Sequence, residues 1–202
     1  ELLSASSSPG NAYIAGASVV LTAPVSGDVS AAGGSIIMAA PIAGDAFLLG
    51  GSISSRASVA GDLRAAGGNI MISEPVAGDV VAAGYSVNDA GRAGGSVFVI
   101  AANTTLSDGA SGPVTIYGNN IWLDGAFEGD VNIASSGHIS LAPNTVINGK
   151  FFYSAPEPAV IPESVVISGG IEYTSASYLP DAGTSRILAL LSVGFFLLVR
   201  IL

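Results

Sequence analysis

The chain has 202 residues, a net charge of −9, 10% charged and 50% hydrophobic residues, and no cysteine. The acidic balance, with Lys150 as the single lysine, excludes an electrostatic nucleic-acid binder, and the missing cysteines exclude disulfides and thiolate metal sites. The length accommodates one domain plus an appendage.

Residues 1–9 read as a loose polar arm, rich in serine between Ser4 and Pro9. An opening at Glu1 without Met fits a chain processed by signal-peptide removal or one trimmed by other means.

From Gly10 the sequence repeats. Gly10, Gly27-Asp28, Gly44-Asp45, Gly61-Asp62, Gly78-Asp79, Gly95, Gly112 and Gly129-Asp130 stand 17 residues apart. A second marker follows six residues later, as in Gly33-Gly34-Ser35-Ile36, Gly50-Gly51-Ser52-Ile53 and Gly67-Gly68-Asn69-Ile70. Two phased markers define a solenoid, in which no repeat buries its apolar face without its neighbours. Seventeen residues are too few for a helical hairpin and suit one coil of a parallel β-helix, with three short strands and three corners.

The apolar positions agree. Counting the marker Gly as position 1, position 3 holds Val29, Ala46, Leu63, Val80, Val97, Val114 and Val131. Position 5 holds Ala31, Leu48, Ala65, Ala82, Val99, Ile116 and Ile133. Position 10 is mostly Ile or Val, and position 16 runs from Ile42 through Val59 and Val76 to Phe127. Such alternation is that of strands with one buried face. Because 17 is odd, a corner must reset its phase. Gly at the corners is expected to supply backbone angles for tight turns and to let coils stack closely. Coils spaced by ~4.8 Å make about ten turns into a rod roughly 45 Å long.

Coils two to five are the most regular. Asp28, Asp45, Asp62 and Asp79 form a column whose carboxylates, as corner residues, accept backbone N–H groups. The competing Ca²⁺ ladder lacks a second acidic column and the several oxygens an ion needs. Residues 88–111 are the weak stretch, a waist or partner site: Asp89 falls where neighbouring coils carry Met38, Ile72 and Leu106, and is expected to turn outward to avoid a buried charge. Trp122 is out of phase with the core and faces outward.

After Gly129 the spacing lengthens to 20, giving Gly149 and Gly169, and Phe151, Tyr153 and Tyr173 take the strand positions. These wider coils are expected to close the core. Residues 178–186 form a hinge with Pro180 and Gly183. Ile187 to Val199 carries no charge, between Arg186 and Arg200. A stretch apolar all round is not a soluble amphipathic helix, and 187–202 reads as the start of a transmembrane helix, short of the ~20 residues a full span needs.

The Gly-Asp-Val motif, the 17-residue coil and the closing Ile147-Asn148-Gly149-Lys150-Phe151-Phe152-Tyr153-Ser154 resemble the bactofilin, or polymer-forming cytoskeletal, family over roughly residues 10–175. That resemblance implies a right-handed triangular β-helix and end-to-end assembly, without nucleotide, into filaments or sheets at a bacterial membrane. The apolar tail is more like membrane-anchored relatives, in which the β-helix precedes transmembrane helices.

No enzyme motif accompanies this. His138, the single histidine, is displaced from the core column by Ile139, and nothing around it marks a coenzyme loop; no catalytic, cofactor or metal residue is assigned. The expected function is a non-enzymatic, all-β, membrane-anchored scaffold (β-helix 10–177, on the extracytoplasmic side) that self-associates end to end through its first coil or organises envelope proteins. The alternative is a monomeric binding module whose side face docks a protein or cell-wall polysaccharide.

Overall fold

The computed structural model describes residues 2–4 and 9–176. The hinge and apolar stretch expected over 178–202 lie outside them. In chain order the strands are β1 (Leu2–Ser4), β2 (Ala12–Leu21), β3 (Val29–Met38), β4 (Ala46–Ser55), β5 (Leu63–Ile72), β6 (Val80–Asp89) and β7 (Val97–Leu106). They continue as β8 (Gly109–Ala110), β9 (Val114–Leu123), β10 (Ala126–Phe127), β11 (Val131–Ser135), β12 (Ile139–Leu141), β13 (Val146–Ile147), β14 (Phe151–Ala155), β15 (Val166–Ile167) and β16 (Ile171–Ser175). All pair in parallel, so the chain is a β-solenoid of about ten turns. Among the described residues there is no helix long and apolar enough to cross a membrane.

Each ten-residue strand bends once and serves two faces. Val29 pairs with Ala46, Leu63 with Val80 and Val97 with Val114, always 17 residues on, and Phe151 pairs with Ile171 at the longer spacing. The pairing skips Gly34 and its equivalents at position 8. There the single phase reset falls: positions 3 and 5 point inward before it, positions 10 and 12 after it. The third face is a line of single bridges from Val25 through Ile42, Val59, Val76 and Ala93 to Ala110, continued by β8, β10, β13 and β15. Five columns of Val, Ile, Leu and Ala therefore meet in one continuous core.

The marker glycines are required by the stacking distance rather than by unusual turns. Among the described residues positive φ falls on Gly109, Gly125, Asn144 and Gly170, not on the markers. A Cβ on Gly61 would lie 2.8 Å from the carbonyl carbon of Gly44 and collide with the Asp45 carboxylate. Gly61→Ala is thus expected to cost about 1–3 kcal/mol by overpacking two coils, seen as a lower thermal midpoint.

Asp89 does not turn outward. It stays in the position-12 column with 3% of its surface exposed. Turning it out would shift the strand by one residue and take Val87 off the core with it. Burial instead pushes its carboxyl up to about 7, against the Gly91 N–H, which donates to Oδ1 at 3.1 Å, and with help from the Asp108 charge. The stretch 88–111, a waist or a partner site by sequence, is regular: β6 and β7 pair from Val80 with Val97 to Asp89 with Leu106, skipping only position 8.

The arm is not loose throughout. Leu2–Ser4 lies parallel beside Val19–Leu21, on the outer edge of the first coil. At the other end the coil from Gly149 buries Phe151 and Tyr153, but the last coil closes nothing among the described residues: Ile171 and Tyr173 are 49% and 37% exposed.

Candidate functional site

The acidic column is an internal staple. Asp28 Oδ1 accepts the Asp45 N–H at 3.0 Å, Asp45 that of Asp62 at 2.8 Å, and Asp62 that of Asp79 at 2.9 Å. Asn11 begins the column and Asp79 passes it to the Ser96 N–H at 2.7 Å. The bonds from Ser96 hold the Asp79 carboxyl below its ordinary range, with Arg64 adding to the effect. The Arg64 guanidinium donates to Asp62 at 2.8 Å and sits 3.6 Å from Asp45. Each Oδ1 is thereby committed to backbone. Among the described residues no group of three or more His, Asp or Glu could hold a metal ion.

His138 is exposed, 3.8 Å from Glu157, while Ile139 takes the core position and pairs with Ile121. Trp122 is exposed as expected. It borders a shallow depression of about 250 Å³ with Asn103, Asn120 and His138, in which the Asn120 amide donates to Asn103 at 3.0 Å. No nucleophile paired with a base is found there.

The two ends of the solenoid carry the more consequential geometry. At the first coil, β1 occupies the edge of the second face, over Val19–Leu21, and leaves the first-face edge from Ala12 to Gly16 without a partner strand among the described residues. At the last coil the described chain stops after the first face. β16 pairs with β14 on one side, and its other edge has no partner among the described residues. Both free edges are therefore the same segment of the repeat, positions 3 to 7. Beneath the last edge the core is uncovered among the described residues, with Tyr173 stacked on Tyr153 at 4.9 Å.

The repeat revealed columns and period but not these ends, because the Leu2–Ser4 strand has no periodic marker and the open edge depends on where strand pairing stops.

These features define a parallel β-solenoid whose first-face edge has no partner strand at either end among the described residues. No family model, curated protein or solved structure matches the chain.

Proposed function

We propose that the protein is a non-enzymatic scaffold of the bactofilin type, anchored to a bacterial membrane by 187–202, whose β-helices add end to end. The observation that carries this is the complementarity of the two free edges. Laid on the first coil of a second copy, β16 would continue the register, Ile171 over Ala12 and Tyr173 over Ile14. The half-exposed Ile171 and Tyr173 would gain the cover that Val131 and Ile133 already have. The β1 strand of that second copy covers the adjacent face, which the last coil leaves vacant among the described residues. One copy's β16 and the next copy's β1 thus fill one level of the solenoid together. The whole first coil is not bare, so the contact is narrower than sequence alone suggested.

A head-to-tail contact does not close on itself and builds a filament. Unpaired strand edges over an apolar core favour such addition. Other envelope proteins would bind along the sides of the resulting rod.

The test is Ala15→Pro. The Ala12 N–H donates inward to Asp28 at 2.7 Å, so by strand alternation the Ala15 N–H points to the free edge. Proline there leaves the coil's own bonds intact and removes an edge donor. Filaments of the parent chain are expected to become single rods in the variant, seen by electron microscopy. Filaments of unchanged length would refute edge pairing.

A further inference from the structure

The first face turns positions 4 and 6 of every coil outward. Over the first seven coils these positions hold one charge, Arg64, among aromatic, aliphatic and small residues. Phe47, Ile100 and Tyr117 are about half exposed, and Phe98 leans on Tyr117 with ring centres 6.0 Å apart. An exposed apolar stripe spanning several hundred Å² marks a contact surface.

We propose that this face is an interface between two copies of the chain, packed with their rods antiparallel about a two-fold axis along the strands of the fourth coil. That axis sets the first coil against the seventh, the second against the sixth and the third against the fifth, and each position faces its own kind. Off the axis, every pair is then larger against smaller. Tyr13 meets Thr115 and Ala15 meets Tyr117. Phe47 meets Val81 and Leu49 meets Ala83. Ser30 and Ala32 meet Phe98 and Ile100; here the surface already has a depression of about 300 Å³, walled by Tyr13, Phe47 and Leu49, to receive them.

Other placements fail on the same residues. An axis through the third coil opposes Phe47 to itself. One through the fifth puts Leu49 on Tyr117. An axis along the rod puts Phe47 on Leu49 and Phe98 on Ile100 within one coil. A self-complementary surface is what a two-fold contact requires.

At ~4.8 Å per coil and ~3.3 Å per residue, seven coils by five residues cover about 550 Å² per copy. The pair buries about 1,100 Å², which clears the ~1,000 Å² of a specific interface. The fourth coil puts Arg64 beside its own copy. Each guanidinium is already paired with Asp62 and Asp45 of its own chain, which offsets the repulsion between the two.

This contact leaves both ends free and is independent of end-to-end addition. Because the chain lacks cysteine, single thiols report it cleanly. The full chain is held in detergent with micelles in excess over protein and treated with a short bis-maleimide. Ala66→Cys, on the axis, is expected to give a covalent dimer. Ala134→Cys, on the same face in the eighth coil and beyond the overlap, is expected to give none. Adding Phe98→Asp to Ala66→Cys should cut the dimer at least tenfold with an unchanged β-sheet circular dichroism spectrum, and adding Asn132→Asp should not. Head-to-tail stacking cannot mimic this, since it sets equal coils about 48 Å apart. Three results would overturn the interface: equal dimer from Ala134→Cys, a monomeric Ala66→Cys chain (which leaves the face to another occupant), or a dimer indifferent to Phe98→Asp.

Discussion

Asp89→Asn is expected to be more stable than the parent chain at pH 8, and the gain is expected to disappear near pH 4. Asp89 sits in a column between Ile72 and Leu106, with the Gly91 N–H as its hydrogen-bond donor and Asp108 in the next coil as the facing charge. Arg92 offers no relief: it reaches toward the Ala126 carbonyl, Ser111 and Glu128. Burial raises the carboxyl from 3.8 to about 7, so between those values the folded chain holds a proton that the unfolded chain has released. The Asp89 contribution to stability is therefore greatest below pH 4, falls as pH rises toward 7, and levels off above it. A shift of about three units corresponds to about 4 kcal/mol at the alkaline plateau. Asparagine has nearly the same shape and no charge to bury. Denaturant unfolding of both chains from pH 4 to 9 isolates the effect from that of the other carboxylates. A constant difference across that range would mean that the Asp89 carboxyl titrates in the fold as it does in the unfolded chain.

Phe127→Ala is expected to cost about 3–5 kcal/mol, the range for deleting a buried ring. Phe127 is fully buried in the position-16 column, where Ala93 and Ala110 leave the third face thin. It pairs directly with Ala110, and with Ile147 on the next coil. The substitution would place three alanines, at 93, 110 and 127, in succession and leave a void in the third face. A Phe127→Leu chain should lose much less, because it restores most of the volume. Equal losses for the two would place the ring's role outside packing. Denaturant midpoints at fixed pH distinguish these outcomes.

The solenoid was legible because its physics is repetitive. Val29, Ala46, Leu63 and Val80 point inward for one reason, repeated at one spacing, and the Asp28 to Asp79 column bonds as corner carboxylates do. Single residues were harder. Asp89 reads as an outward residue if a carboxylate must stay charged; protonation removes that premise, and keeping the strand in register decides the matter. The marker glycines read as turn formers, whereas close approach of backbone between coils is what excludes a side chain there. Leu2–Ser4 carries no marker at all, and its pairing with Val19–Leu21 depends on the chain doubling back. The outward residues Phe47, Leu49, Phe98 and Ile100 were visible in the sequence, but their large-against-small order gains meaning only when the first face is seen as one continuous sheet. The apolar stretch 187–202 stands on sequence alone.

End-to-end addition is most directly tested by negative-stain electron microscopy of residues 1–185 over a range of protein concentrations without detergent. The complementary edges predict filaments that lengthen with concentration and repeat along the axis at about 48 Å, ten coils of ~4.8 Å. Single short rods at every concentration would contradict the scaffold and leave a monomeric rod that binds its partner through a side face.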